Sequence, residues 1–460
     1  AAIGLTAPYN DFVLHNTPLI GNHFPVSCIC TLVVLAGLVN PLLRKLRPDW
    51  ALAGAELVVV FILMCVGASV VAAGLWRYVA NYLAAPAYYA TESNGYFKHL
   101  LAHLPDWELL SKDPLDPAVV GFYEGLSAGE SIPWGAWVRP LSAWAVYLGG
   151  MYVSVICLSL LFAGQWIEKE RLTYPLTYLP VQLAQDPAPG RLWNGFFRNR
   201  TVWLFVLIPV LVYGINGFRM FYPAWPQIPT QWSTYGLFQT RPWDAFNLAM
   251  ARIFFSIVGI TFLLTSEISF SIWFFFLIYR LSYVMISALG LPSSGFFADW
   301  WQKVGVFQTS GVFLVLAGFL FYVARGHLRG VLDDARRGIP TRVQAPNPTQ
   351  VPAPGSGFGP LAARLVLAGS LLGPAVMAGW FIAAGVKWYF ALALALMLLC
   401  IFLVLARLIA EAGLMYIGTT ANPLDFFTGL FTAKALGAAT VAQIGIQRGA
   451  LMQDYRECWM

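Results

Sequence analysis

The uncharged run LSAWAVYLGGMYVSVICLSLLFAGQWI (residues 141–167) decides the fold, and the polar cluster EKERLTYPLTYLP (168–180) follows it at once. A helix needs about 20 apolar residues to cross the hydrocarbon core of a bilayer, so the run is long enough to span a membrane. The chain becomes apolar again within the cluster itself, which a loop that simply leaves the bilayer does not do. The two stretches together predict a membrane helix, a break, and a second apolar element.

The composition of the whole chain also indicates a membrane protein. Of its 460 residues, 58% are hydrophobic and 11% are charged, and the mean hydropathy is +0.66. Soluble domains carry about 25% charged residues. Helices satisfy their own backbone hydrogen bonds in lipid, so we predict an all-α, polytopic helical membrane protein. Its transmembrane helices are expected to contact the lipid bilayer. The net charge is +6, but no segment is rich in Lys and Arg, so we do not expect the protein to bind nucleic acid.

The apolar runs and the residues that break them predict about ten crossings. We place them at residues 1–13 (incomplete), 24–43, 54–80, 138–165, 200–219, 248–265, 268–289, 305–325, 361–383 and 386–406. Positive charge gathers in three loops, around Arg44, Arg191 and Arg336, and an even number of crossings separates them. The positive-inside rule therefore places all three loops in the cytoplasm.

The crossings and loops divide the chain into five segments. These are the first transmembrane helices (1–82), an extracytoplasmic cap rich in aromatic and acidic residues (83–137), a central transmembrane bundle with a Tyr-Pro segment (138–325), a cytoplasmic Pro/Gly-rich linker (326–360) and C-terminal transmembrane helices with an Asn-Pro segment (361–460). Because the cap is long and aromatic, we expect it to be folded. The chain starts at Ala1 rather than Met and stops in the amphipathic RECWM (456–460), so we expect further residues at both ends.

The polar cluster contains a signal for the start of a new helix. Proline is tolerated in the first helical turn, where its missing N–H costs nothing, so Pro175 predicts a helix start. Tyr174 and Tyr178 lie about one turn apart on that helix. The segment 171–184 is apolar but too short to cross the membrane. It is either a re-entrant helix that lines a transport route or an interfacial amphipathic helix with its tyrosines at the headgroup level.

Ionisable residues inside apolar runs are the candidate functional residues, because each must find a partner or water. Arg407 and Glu411 lie four residues apart and therefore on one helical face, just before the helix-breaking stretch GLMYIGTTANP (413–423). The pair can bind a substrate or carry a proton, or it can join two helices as a structural ion pair. Glu267 is either a proton acceptor or a carboxylate in a hydrated turn. Arg280, in the middle of FFFLIYRLSYVM (274–285), either faces a transport path or makes a structural pair.

The motifs of common enzymes and cofactor sites do not occur in the sequence. There is no GxxxxGK[ST], no HExxH and no arrangement typical of a nucleophile with its base, so we predict no enzymatic activity and no ATP-driven transport within this chain. His99 and His103 have a spacing that suits a metal ion, but no third ligand is evident. The six cysteines form no CxxC pair. We therefore predict no metal site and no cofactor.

Several motifs give the chain a resemblance to a known family. They are QWIEKERLTYPLTYLPVQLA (165–184), HLPDW (103–107) and GFYEG (121–125) in the cap, and ARLIAEAGLMYIGTTANPLDFFTGL (406–430). With the order of spans, these motifs resemble the oligopeptide transporter (OPT) superfamily, and most closely an uncharacterised bacterial branch of it. In that family a Tyr-Pro segment and a later segment ending in Asn-Pro line the route. The resemblance implies that Tyr174-Pro175 stands for the first, and Arg407, Gly413, Gly418 and Asn422-Pro423 for the second.

The resemblance implies a function in transport, and the bacterial branch implies the cytoplasmic (inner) membrane of a bacterium as the location. We predict a secondary transporter of a small peptide-like or metal-chelate-like solute, and the resemblance implies symport with protons. Glu411 or Glu267 then takes the proton, Arg407 orients or releases it, and Tyr174 and Asn422 make polar contacts. The alternative is a non-catalytic structural subunit of a larger energy-transducing or secretory membrane complex. Whether the protein forms a homo-oligomer or joins such a complex stays open.

Overall fold

The structure is a computed structural model that describes Thr6, Thr419 and residues 9–13, 24–71, 75–219, 221–234, 236–246, 250–290, 296–336, 359–415 and 423–451. Its main helices are α1 (Val26–Leu46), α2 (Gly54–Val71), α3 (Leu75–Tyr88), α4 (Pro117–Glu124), α5 (Trp134–Lys169), α6 (Tyr178–Ala184), α7 (Arg200–Phe218), α8 (Phe255–Thr261), α9 (Ser266–Ala288), α10 (Phe296–Arg336), α11 (Pro360–Ala383), α12 (Trp388–Ala412), α13 (Pro423–Leu430) and α14 (Ala438–Leu451). Two short strands, β1 (Gln231–Trp232) and β2 (Ala251–Arg252), pair antiparallel.

Seven helices in the described part of the chain are long and apolar enough to cross a membrane. They are α1, α5, α7, α9, the Gly305–Arg336 part of α10, α11 and α12. The prediction of an all-α membrane protein is confirmed, whereas the count of ten crossings is not. Of the predicted crossing 54–80, the structure describes α2 as far as Val71 and α3 from Leu75. The apolar part of α2, Gly54–Ala68, is shorter than the seven helices named above. Of the predicted crossing 1–13, the structure describes Thr6 and Tyr9–Val13.

The predicted crossing 248–265 does not form a spanning helix. Its described residues contain β2 and α8, and the latter has only seven residues. The stretch IFFSIVGITFLL (253–264) is apolar but rich in β-branched and aromatic residues, and it contains Gly259. These residues have lower helix propensity than Ala or Leu, so apolarity alone overestimates the helix here.

The core lies where α5, α11 and α12 pack together. Small residues allow α5 and α11 to approach closely: a Cβ built on Gly373 would lie 2.6 Å from the carbonyl oxygen of Gly150, and one on Gly369 would meet Cys157. Close backbone approach at small residues is the usual packing mode of membrane helices. Above this contact Trp144 and Trp380 meet edge to face, with ring centroids 5.4 Å apart. Both lie in the main hydrophobic core.

Residues 83–137 form a folded cap on this core. Leu101, Leu104 and Leu109 are buried at 2–3% exposure. Asp116 caps the N-terminus of α4, because its side chain accepts a hydrogen bond from the N–H of Ala118. Trp107 packs edge to face on Trp380 of α11, with centroids 5.3 Å apart. The cap is therefore attached to the membrane helices by aromatic packing.

The loops that carry positive charge meet at the opposite end of the bundle. Arg44, in the last turn of α1, pairs with Asp186, just after α6, at 3.3 Å. His327 of α10 donates to the carbonyl of Leu161, near the end of α5, at 3.0 Å. Helix α10 continues to Arg336, so the predicted linker 326–360 is wrong for its first part: GHLRGVLDDAR (326–336) contains no proline and continues the helix. The rest of the linker, 337–358, lies outside the described residues.

Candidate functional site

The end of α5 is the first of two interrupted helices that build the site. The helix finishes in a π-helical turn, Gln165–Lys169, and the chain then passes through two residues with left-handed backbone, Arg171 (φ 52°) and Tyr174 (φ 43°). Non-glycine residues seldom adopt this conformation, so surrounding contacts must maintain the reversal. Pro175 starts a short 3-10 turn that leads into α6. A helical element therefore begins at Pro175, as the sequence predicts.

The end of α12 is the second interrupted helix. Gly413 is left-handed (φ +56°) and donates its N–H to the carbonyl of Ile409 at 2.9 Å, which is a common way to end a helix. The Tyr-Pro segment packs directly on this end. The N–H of Tyr174 donates to the backbone carbonyl of Ala410 at 3.1 Å, and the hydroxyl of Thr173 donates to the backbone carbonyl of Glu411 at 3.4 Å. The two segments singled out in the sequence thus meet.

A cluster of three charges lies at this junction. Arg407 donates from Nη1 to Glu170 Oε2 at 2.5 Å and from Nε to Glu411 Oε2 at 2.9 Å. Its guanidinium also lies over the ring of Trp166, 5.6 Å from the centroid. The other oxygen of Glu170 accepts from Gln165 Nε2 at 2.9 Å. Arginine is suited to this arrangement because its planar fork can donate to two carboxylates at once.

The three charged side chains differ in their access to solvent. The side chain of Arg407 is 14% exposed and that of Glu170 is 22% exposed, whereas that of Glu411 is 51% exposed. Two carboxylates and one guanidinium give the cluster a net charge of −1 when all are ionised. Glu411 is therefore the member of the cluster that water or a solute can reach most easily.

A cavity of about 530 Å³ adjoins the junction. Its walls come from Phe24 and Pro25 just before α1, and from α2, α5, the Tyr-Pro segment with α6, and α12. The lining is mostly apolar and includes Phe24, Phe61, Trp166, Tyr174 and Ala410. Trp166 and Tyr174 thus border both the cavity and the charge cluster. The volume is within the range of cavities that hold small organic ligands.

The other predicted site residues have separate surroundings. Glu267 is exposed in the first turn of α9, where a carboxylate is favoured by the positive end of the helix dipole. Arg280 donates to the carbonyls of Phe246 at 3.0 Å and Ala245 at 3.4 Å, at the end of the Trp243–Phe246 turn. Asn422 and Gly418 lie outside the described residues.

The sequence interpretation missed three members of the site: Glu170, Gln165 and Trp166. Glu170 is part of the quoted cluster EKER, but nothing local separates it from Glu168, which is exposed. The one sequence feature that could have identified Glu170 is its position between the end of a membrane-spanning run and the Tyr-Pro dipeptide. As to metals, the described residues contain no group of three or more His, Cys, Asp or Glu side chains that could hold an ion. His99 and His103 are both exposed in the cap.

Fold and site together define a polytopic all-α membrane protein in which two interrupted helices meet at an ion-pair cluster beside an apolar cavity. A family of unknown function, DUF6785, matches residues 1–460, and the chain belongs to this family. Neither the comparison with curated proteins nor the comparison with solved structures gives a match.

Proposed function

We propose that the protein is a secondary transporter with an OPT-like arrangement of broken helices, which moves a small peptide-like or metal-chelate-like solute across the bacterial cytoplasmic membrane in symport with protons. One observation carries this proposal: the Tyr-Pro segment and the end of α12 meet at the Arg407 cluster and border the same cavity. Interrupted helices that place charged groups and free backbone ends beside a cavity are a common way to build a transport site.

The cluster suggests how a proton and a solute could be coupled. A proton on Glu411 removes the negative charge that faces Arg407 Nε. Arg407 then keeps its bond to Glu170 and can offer Nε to a carboxylate of the solute, such as a peptide C-terminus or a chelator's acid group. Loss of the proton restores the Glu411 pair and displaces that carboxylate. In this mechanism Tyr174 and Asn422 would contact polar groups of the solute. The apolar walls of the cavity would surround the rest of the solute.

The test is uptake of peptides and metal chelates by proteoliposomes under an imposed proton gradient. We expect uptake by the wild type that depends on the gradient, and loss of this dependence in Glu411→Gln. Asp333→Asn is the matched control. Asp333 forms an exposed intrahelical ion pair with Arg336 at 3.8 Å, a longer distance than in either ion pair of Arg407. Unchanged gradient dependence in Glu411→Gln removes Glu411 from the mechanism. Absence of uptake for every solute in the wild type contradicts the transport proposal.

A second candidate function is a non-catalytic structural subunit of a larger membrane complex. The contacts of Arg407 favour this function, because its guanidinium already binds two carboxylates and lies over the Trp166 ring. An arginine with these contacts can hold helices together without binding a solute. Purification from the native membrane in mild detergent separates the two candidates. Stoichiometric recovery with other subunits supports the structural role, whereas recovery alone or as a homo-oligomer supports the transporter.

A further inference from the structure

A second buried polar contact joins the cap to the C-terminal part of the chain. Glu108 lies in the cap and Gln443 lies on α14, and both residues are 0% exposed. Gln443 Nε2 donates to Glu108 Oε2 at 2.5 Å. Glu108 is thus a fully buried carboxyl group, which is costly to keep ionised unless opposite charge or several donors surround it.

The remaining oxygens of this pair have no donor. Glu108 Oε1 and Gln443 Oε1 are both buried and without a hydrogen-bond partner. An unsatisfied buried acceptor costs on the order of 1–3 kcal/mol, so two in one contact need a physical explanation. Turning the Gln443 amide does not help, because its oxygen would then face an acceptor oxygen of the carboxylate.

We propose that Glu108 is a proton-binding site of the cap: in this fold it is a neutral carboxylic acid that forms a cyclic, doubly hydrogen-bonded pair with the amide of Gln443. The amide N–H donates to one carboxyl oxygen, as the structure shows, and the carboxyl O–H donates to the amide oxygen. A single proton then satisfies both of the acceptors that are otherwise unpartnered. The inference does not rest on transport.

The surroundings of Glu108 favour the neutral form. From α5, Trp144 donates its indole N–H to the backbone carbonyl of Glu108 at 3.3 Å, which leaves the carboxyl group itself uncompensated. The titratable Tyr147 of α5 is fully buried with its ring centroid 6.3 Å from that of Trp144, and α14 carries the neutral buried residues Thr440 and Gln443. The charged groups of the loop, Asp106 and Lys112, pair with each other at 2.6 Å.

Burial and hydrogen bonding have opposite effects on the pKa of Glu108. Burial raises the pKa of Glu108 to about 7, against the opposing effect of the Gln443 hydrogen bond. The contact between cap and α14 therefore binds a proton near neutral pH. When the proton leaves, a buried carboxylate faces an amide oxygen, and the contact between cap and α14 is weakened.

The test is infrared spectroscopy of the purified full chain in detergent at pH about 5.5, where ordinary carboxyl groups are ionised. We expect the carbonyl stretch of a protonated carboxyl group, shifted in D₂O, to be lost in Glu108→Gln and to titrate in the wild type with a midpoint near 7. Glu124→Gln is the matched control, since Glu124 is an exposed acid of the same cap. The control should keep the band.

Two outcomes decide the matter. A band that is the same in the wild type and in Glu108→Gln, or a wild-type spectrum without any such band, shows that Glu108 is ionised and overturns the proposal. If Glu108→Gln does not fold, Gln443→Met gives the second measurement, because it removes the amide and leaves the acid. The proposal then requires the band of Glu108 to shift in frequency, and an unshifted band contradicts the pairing with Gln443.

Discussion

Gly413 and Pro175 are packed so closely that a Cβ built on the glycine would lie 2.8 Å from the Cβ of the proline. This contact joins the end of α12 to the start of the 3-10 turn that leads into α6. It also explains why the two breaks occur together. The left-handed backbone of Gly413 ends α12 where the rigid ring of Pro175 fills the space that a side chain would otherwise occupy.

Gly413→Ala should therefore destabilise the protein by about 2–4 kcal/mol. The estimate combines about 1 kcal/mol for a left-handed alanine with about 1–3 kcal/mol for overpacking against Pro175. The measurement is thermal unfolding of the purified variant in detergent. Gly326→Ala is the control: it lies on α10 with nothing within 4 Å of its Cβ position, so it should be neutral or slightly stabilising. Equal melting temperatures for the two variants contradict the close packing.

Arg407→Gln should cost about 2–3 kcal/mol, because it leaves Glu170 and Glu411 as two neighbouring carboxylates without their cation. The value is set below that of a fully buried pair, since Glu411 is half exposed. Chemical denaturation of the wild type and the variant measures the loss. Arg336→Gln removes an exposed intrahelical pair instead and should change stability by no more than about 0.5 kcal/mol. Similar losses in both variants are inconsistent with a tightly held cluster.

The approach of α5 and α11 gives a test of the core. In Gly373→Ala the added methyl group meets the Gly150 carbonyl oxygen at 2.6 Å, and backbone cannot move aside as a side chain can. We expect a loss of about 1–3 kcal/mol. Gly379→Ala, on the same helix but with nothing within 4 Å of its Cβ position, should be tolerated. The comparison is best made by thermal unfolding of both variants in the same detergent.

The features that the sequence predicts are those with a local cause. Arg407 and Glu411 meet because four residues separate them on a helix, and the break at Pro175 follows from the ring and missing N–H of proline. The contacts of Glu170 with Arg407 and of Glu108 with Gln443 join residues far apart along the chain, which helical periodicity does not encode. The described residues of the crossing predicted at 248–265 form no spanning helix for the opposite reason. That prediction rested on the apolarity of the whole stretch, whereas the low helix propensities of the individual residues limit the helix to Phe255–Thr261.

The Glu108 carboxyl predicts a pH dependence of stability with a definite sign. Its pKa rises from an ordinary value of 4.5 to about 7 on folding. Between these values the folded state holds a proton that the unfolded state has lost, so the free energy of unfolding falls as the pH rises. Below 4.5 the contribution is fully present, and above about 7 it is lost. The change is about 3 kcal/mol for a shift of this size.

The measurement is the melting temperature of the wild type minus that of Glu108→Gln across this pH range. The variant cannot ionise at position 108, so contributions from other groups cancel in the difference. We expect the difference to decrease from pH 4.5 to about 7 and to be constant above that. A difference that does not change with pH means that the carboxyl group titrates alike in the folded and unfolded states.

The cavity beside the Arg407 cluster gives the last prediction, which concerns transport alone. Ala163 of α5 lines this cavity, so Ala163→Leu would place three further carbon atoms in a space that a solute needs. We expect the variant to fold as the wild type does, because the cavity of about 530 Å³ accepts the larger side chain without displacing its neighbours. Uptake by proteoliposomes should fall at least several-fold. Ala145→Leu, at an exposed position of the same helix, should leave uptake unchanged. Normal uptake by Ala163→Leu would place the route of the solute elsewhere in the protein.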